Sequence, residues 1–172
     1  DSKQGNVDKN FNLENYIEFK DVNFYYDKQN KFKFNNLNLK IKLGESLAII
    51  GSSGSGKTTL VDILIGLLDI KSGNILINGV NFNNIKQYWQ SSIGYVPQSI
   101  FILDDTIKSN IAFGIKDDDV DFKRLDKAIK DSQLADYIDN LPDGIDTIIG
   151  ERGAKMSGDQ KQRLGIARAL YF

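Results

Sequence analysis

Apolar and polar residues alternate along two stretches near the start of the chain. Ile17 to Tyr26 is the first, and in the second, Phe32 to Leu43, first Phe32 and Phe34, then Leu37, Leu39, Ile41 and Leu43, recur at every second position. A period of two predicts antiparallel strands with one buried face. Leu47-Ala48-Ile49-Ile50 is a short apolar run that reads as a further strand, and Leu60 to Leu68 reads as a helix. Asn74 to Ile77 reads as a strand that reverses at Asn78-Gly79, with Val80 and Phe82 returning as the second arm of a hairpin. Ile93-Gly94-Tyr95-Val96, stopped by Pro97, predicts a short central strand whose end delivers Gln98 to a loop. Beyond Thr106 the spacing lengthens to three and four residues, with Ile107, Ile111 and Ala112, then Leu125, Ile129 and Leu134. The last helix is expected to be capped by Ser157 and to carry Leu164, Ile166, Ala167, Ala169 and Leu170.

The order is therefore a β-rich layer, an α/β core and a helical part, with the core about residues 16–98 and the helical part about 99–172. Residues 1–15 are polar, rich in Asn, Lys and Asp and without a period, and are expected to be a linker from an upstream region. A chain that starts at Asp1 and stops at Phe172 inside a helical pattern reads as an internal part of a longer polypeptide.

Composition narrows the classes. With 172 residues, 41% hydrophobic and 26% charged, the chain suits one well-filled domain. A net charge of -1 gives no broad basic surface, which argues against a nucleic-acid partner and leaves only local anion sites. The absence of Cys excludes a disulfide framework and a thiolate metal site. The apolar runs fall short of the roughly 20 residues needed to cross a bilayer.

The candidate chemistry lies between the predicted strand and helix. Gly51-Ser52-Ser53-Gly54-Ser55-Gly56-Lys57-Thr58 matches the phosphate-binding loop pattern at each fixed position, in the strand, turn and helix context that it requires. A turn that wraps phosphates needs positive φ or close backbone approach, and glycine supplies both. Gly51, Ser52, Ser53, Gly54, Ser55, Gly56, Lys57, Thr58 and Thr59 are the expected nucleotide-binding residues. Loop N–H groups and the positive helix end face phosphate, the Lys57 ammonium bridges β- and γ-oxygens, and Thr58 ligates Mg²⁺.

A second stretch is more specific. Met156-Ser157-Gly158-Asp159-Gln160-Lys161-Gln162-Arg163, leading into Ile166-Ala167-Arg168-Ala169-Leu170, resembles the signature motif of ABC transporter ATP-binding domains. Three further stretches are similar to that family in the same order: Val22-Asn23-Phe24-Tyr25-Tyr26 to its aromatic loop, Val96-Pro97-Gln98 to its Q-loop, and Gly150-Glu151-Arg152-Gly153 to the X-loop of exporters. The resemblance covers about residues 16–172 and implies an α/β P-loop ATPase fold with an antiparallel β-subdomain and an α-helical subdomain. It further implies that Tyr26 stacks on adenine and that Gln98 serves Mg²⁺ or the attacking water, so that Lys57 and Gln98 are the catalytic residues. Ser157, Gly158 and Gln160 would serve the γ-phosphate bound by a second ATP-binding domain in a head-to-tail dimer. Contacts to a transmembrane domain are expected near Gln98 and Glu151, at the cytoplasmic face of the cell's inner membrane.

What the resemblance implies overall is the ATP-driven domain of an exporter or flippase. The segment Asp104-Asp105-Thr106-Ile107 is similar in wording to transporters of lipid-linked glycans and polysaccharides. A soluble ATPase of the same type, or a nonhydrolysing regulatory module, is the alternative. The family's Walker B aspartate, catalytic glutamate and switch histidine follow the signature helix, so this stretch alone is expected to be inactive and its fold incomplete at the C-terminal side. Asp159 departs from the family's second signature glycine. Its carboxylate is expected to repel the γ-phosphate unless Lys161 or Lys155 pairs with it.

Overall fold

The computed structural model describes residues 16–26 and 33–172. The expected linker 1–15 and Phe32 lie outside the described residues. The chain divides into two compact units, one reaching to Ser92 and the other spanning Ile93–Phe172.

The first unit is built on an antiparallel sheet of four strands, β1 (Tyr16–Tyr25), β2 (Lys33–Lys42), β3 (Ser72–Ile77) and β4 (Val80–Asn81), in the order β2-β1-β3-β4. Ile17 pairs with Ile41 on one side and Ile77 on the other, and Phe19 with Leu39 and Ile75. The buried residues of β1 are Ile17 and Phe19, then Val22 and Phe24, so the inward face changes from odd to even numbers. Side chains alternate strictly along a strand, so that change requires one extra residue. It is absorbed by ladder irregularities on either side of Val22, and Asp21 adopts a φ of 50° beside them. Asn38 holds the kink, its carbonyl accepting from the Asp21 N–H at 3.1 Å and its amide donating to the Asp21 carboxylate at 3.0 Å.

Two helices complete this unit, α1 (Lys57–Leu64) and α2 (Phe82–Ser91). Phe82 does not return as a strand residue. Asn81 accepts from the Asn83 N–H at 3.0 Å and starts a helix there, and Phe82, Ile85 and Trp89 form its buried stripe. Trp89 donates its indole N–H to the Leu64 carbonyl at 2.8 Å, satisfying an end-of-helix acceptor of α1.

The second unit is helical: α3 (Ile107–Ile111), α4 (Phe122–Asp131), α5 (Ala135–Asp139) and α6 (Gly158–Tyr171). Thr106 caps α3 and Asp121 caps α4 through their side-chain oxygens. Leu125, Ala128 and Ile129 of α4 share a core with Leu164, Ala167 and Tyr171 of α6. The Tyr171 hydroxyl accepts from the Asp121 N–H at 3.0 Å, tying the end of α6 to the start of α4. Lys108 of α3, 14% exposed, reaches Asp146 at 3.1 Å and Asp117 at 3.4 Å. The hydrogen-bonded Asp146 carboxylate raises its pKa above the usual lysine value, against the opposing pull of burial and with Asp117 adding to the rise.

Two expected strands are corrected. Leu47–Ile50 and Ile93–Val96 join no ladder among the described residues, and Ile50 is 91% exposed. An apolar run becomes a strand only when a neighbour takes its backbone hydrogen bonds, and neither run has such a neighbour here.

Candidate nucleotide-binding site

The phosphate-binding loop lies in the first unit, between residues 46–50 and α1. Gly54 has a φ of 78° and Gly56 a φ of 93°, left-handed values that a residue with a Cβ resists. Gly51 meets the other requirement, since a Cβ there would stand 2.6 Å from the Ser55 hydroxyl oxygen. The loop closes through the Ser55 N–H donating to the Ser52 carbonyl at 3.2 Å. Gly56 is the N-cap of α1 and offers no side-chain cap, and the first turn carries no acidic residue. The leading N–H groups of α1 are thus without a side-chain cap at the positive end of the helix, the arrangement that favours an anion.

Lys57 is folded over this loop, its ammonium donating to the carbonyls of Gly51 at 2.9 Å and Ser52 at 2.8 Å. Neutral carbonyls are weaker acceptors for an ammonium than phosphate oxygens, so a bound phosphate would outcompete them. Ser52, Ser53, Ser55 and Thr58 are exposed. Thr59 is buried, and its hydroxyl lies 2.7 Å from that of Tyr26. Tyr26 follows β1 and remains 59% exposed. The first unit thus brings together Tyr26 and the loop residues up to Thr59. Sequence reasoning put Thr59 with the phosphate-binding residues and missed its link to Tyr26.

The other expected site residues lie in the second unit. Ser157 is the N-cap of α6, and a reciprocal pair closes the turn: the Gln160 N–H donates to the Ser157 hydroxyl at 3.2 Å, and the Ser157 N–H to the Gln160 side chain at 2.8 Å. Gln98 is exposed and shares an open groove with Gly158, Lys161 and Gln162. Glu151 is exposed in a tight 3₁₀ turn, Glu151–Gly153. Asp159 pairs with Arg163 at 2.8 Å, and Arg163 also donates to the Gln133 carbonyl at 2.8 Å. The expected partners Lys161 and Lys155 are corrected on this point. Positions four apart on a helix face each other, and Lys155 donates instead to the Ile148 carbonyl at 2.9 Å.

A second feature escaped the sequence reading. Asn110, fully buried, bonds the N–H and carbonyl of Leu103 at 2.9 and 3.1 Å. Arg168 donates to the carbonyls of Asn110 at 2.8 Å and Phe101 at 2.9 Å, and its guanidinium lies 4.8 Å from the centre of the Phe113 ring. Burial lowers the Arg168 pKa below the usual arginine value. These two side chains fix the segment that follows Gln98 to α3 and α6. The signal was an Asn next to Ile111 and an Arg between Ala167 and Ala169, polar side chains set among apolar neighbours.

A family model described as "ABC transporter" matches residues 34–171. The chain belongs to the ABC transporter family. It is 40% identical over 157 residues to an ATP-dependent lipid A-core flippase of Ralstonia nicotianae, covering 90% of this chain and 26% of that protein. It is also 40% identical over 156 residues to ABC transporter B family member 29, chloroplastic, of Arabidopsis thaliana, covering 90% of this chain and 25% of that protein. A solved structure of a bacterial Atm1-family ABC exporter with ATP bound superposes with a TM-score of 0.80 at 36% identity, over 92% of this chain and 28% of that one. The chain thus spans roughly a quarter of the length of the relatives it matches. This ABC transporter domain has the ABC ATPase fold as a partial domain, with the antiparallel sheet and the helices formed. No helix among the described residues is long and apolar enough to cross a membrane.

Proposed function

We propose that this chain is the nucleotide-binding domain of an ABC exporter or flippase, in which ATP binding closes a head-to-tail dimer and hydrolysis reopens it. The observation that carries the reading is the start of α1: an uncapped helix end, left-handed Gly54 and Gly56, and Lys57 resting on two loop carbonyls. ATP enters with its phosphates on this loop and displaces those carbonyls from Lys57. The ammonium then offsets charge at the β- and γ-oxygens, a contribution that grows as charge develops in the transition state. Tyr26, 59% exposed at the end of β1, would stack on adenine.

Thr58 and Gln98 offer neutral oxygens on exposed side chains, which suit a hard cation that keeps several waters and takes its remaining ligands from phosphate. They would hold Mg²⁺, which when bound neutralises phosphate charge. Ser157, with Gly158 and Gln160 behind it, faces the γ-phosphate of the second domain, and its hydroxyl proton remains free to donate while its oxygen accepts from Gln160. Gln98 and Glu151 meet a transmembrane domain, so the domain works at the cytoplasmic face of the membrane. The flippase named among the relatives supports a lipid or lipid-linked glycan as cargo.

The test is ATP hydrolysis by the full-length protein in lipid vesicles. Lys57→Ala should abolish it, and retention of more than about a tenth of the wild-type rate would sink the reading. Asp159 favours a second reading, a regulatory module that binds ATP without hydrolysing it. That reading predicts tight ATP binding and no turnover in the unaltered protein.

A further inference from the structure

Residues 100–103 are held one after another. Ile100 lies against Gly165 of α6, where an added Cβ would stand 2.5 Å from the Ile100 Cδ1. The Phe101 carbonyl accepts from Arg168 of α6 at 2.9 Å. Ile102 is buried against Gly153, where a Cβ would come within 2.8 Å of the Ile102 Cδ1. The N–H and carbonyl of Leu103 are both taken by Asn110 of α3. Arg168 closes the set, since it also donates to the Asn110 carbonyl at 2.8 Å while its guanidinium lies over the Phe113 ring. Its partners here are two carbonyls and a ring rather than a carboxylate, so the guanidinium supplies a rigid two-way geometry and not merely a charge. Side chains packed this closely transmit displacement instead of absorbing it. Gln98 stands two positions before the braced stretch, and Ser157 opens α6 about 16 Å from Arg168 at 1.5 Å per residue. The two groups that the proposed mechanism sends to different ATP molecules thus sit at opposite ends of one braced assembly.

We propose that Arg168 is a positioning residue that links the two ATP sites of the dimer: by bracing the segment after Gln98 to α6, it makes the engagement of Gln98 at one nucleotide and of Ser157 at the other a single movement. The proposal rests on the reading that the protein hydrolyses ATP as a head-to-tail dimer. With the brace intact, ATP at one site favours placement of the groups that serve the other, and the rate rises sigmoidally with ATP. Without it, Gln98 and Ser157 each answer to their own nucleotide, and the rise becomes hyperbolic.

The experiment measures phosphate release by the full-length protein in lipid vesicles, from ATP concentrations far below half-saturation to far above it. The unaltered protein should give a Hill coefficient of about 1.5 or more, with two sites setting the ceiling. Arg168→Gln should bring it to about 1. Arg168→Lys keeps a cation beside Phe113 but not the planar two-way donor, and should fall between the two. Unfolded protein hydrolyses nothing, so a loss of folded protein lowers the plateau and leaves the shape of the curve unchanged. A merely structural role would therefore show as a lower rate with an unaltered coefficient, and that result would overturn the proposal. A hyperbolic curve in the unaltered protein would overturn it as well. If Arg168→Gln is inactive, Arg168→Lys decides in its place: an unaltered coefficient overturns the proposal, and inactivity of both variants would mark Arg168 as a folding residue and overturn it too. The two levels stay separable, because an unaltered protein without ATP hydrolysis takes the underlying reading down, whereas hydrolysis with a coefficient indifferent to Arg168 takes down the link alone.

Discussion

Helices α1 and α6 both begin at motifs that the family resemblance assigns to phosphate, yet their first turns are furnished in opposite ways. At α1 the cap is a left-handed glycine with no side chain, the first turn has no acid, and a lysine lies across the loop. At α6 the cap is a serine in a closed capping box, and the first turn holds Asp159 in an ion pair with Arg163. The difference is one of readiness. The N–H groups of α1 have no side-chain competitor for an anion, whereas Gln160 N–H at α6 is already engaged by Ser157 and a carboxylate sits nearby. Two helix starts of the same geometry thus differ in their readiness for an anion through their first-turn residues alone.

The largest expected effect removes the cation from the open end. Lys57→Ala should reduce ATP hydrolysis to background, measured as phosphate release, because no other cation is seen over the loop carbonyls among the described residues. At α6, cap and donor can be separated. Ser157→Asp keeps an acceptor for Gln160 N–H, so thermal stability should hold, while the added charge lowers ATP hydrolysis by more than tenfold. Ser157→Ala should lower unfolding free energy by about 1 kcal/mol in thermal or urea denaturation. If Ser157→Asp hydrolyses ATP normally, the α6 end does not meet phosphate.

Next comes the base. Tyr26→Ala should raise the KM for ATP by roughly tenfold and leave kcat nearly unchanged, since stacking is the same in ground and transition states. A fall in kcat with constant KM would contradict it. The smallest effect belongs to Asp159. Arg163 offsets much of its charge, so Asp159→Asn should raise the ATPase rate by only about two- to threefold. Breaking an exposed pair of this spacing should cost about 0.5 kcal/mol of stability or less. An unchanged or lower rate would mean that the carboxylate does not oppose phosphate.

What was legible in the sequence was whatever depended on local rules. The glycine-rich loop, the Ser157 cap and the three- and four-residue spacing of α4 and α6 each follow from backbone needs within one or two turns. The helix α2 obeyed such rules too, with Asn81 as cap and Phe82, Ile85 and Trp89 on one stripe, but the Asn78-Gly79 hairpin drew Phe82 into a strand. Leu47–Ile50 and Ile93–Val96 failed for a different reason. Their composition is that of strands, but strand formation is decided by a neighbour, and no local pattern names one. Asp159 shows the same limit on a smaller scale, since proximity in sequence suggested Lys161 while helical geometry selected Arg163. The tie between Tyr26 and Thr59 spans thirty-three positions and has no sequence signature.

Trp89 is the only tryptophan in the chain, and its indole is buried and bonded to the carbonyl of Leu64, the last residue of α1. The single tryptophan of these 172 residues therefore stands at the far end of the helix whose near end is the proposed phosphate site, about 12 Å away at 1.5 Å per residue. Any tilt or stretching of that helix on nucleotide entry changes the indole's hydrogen bond and hence its emission. Within these 172 residues, emission from this indole should then report nucleotide occupancy with no dye and no added cysteine.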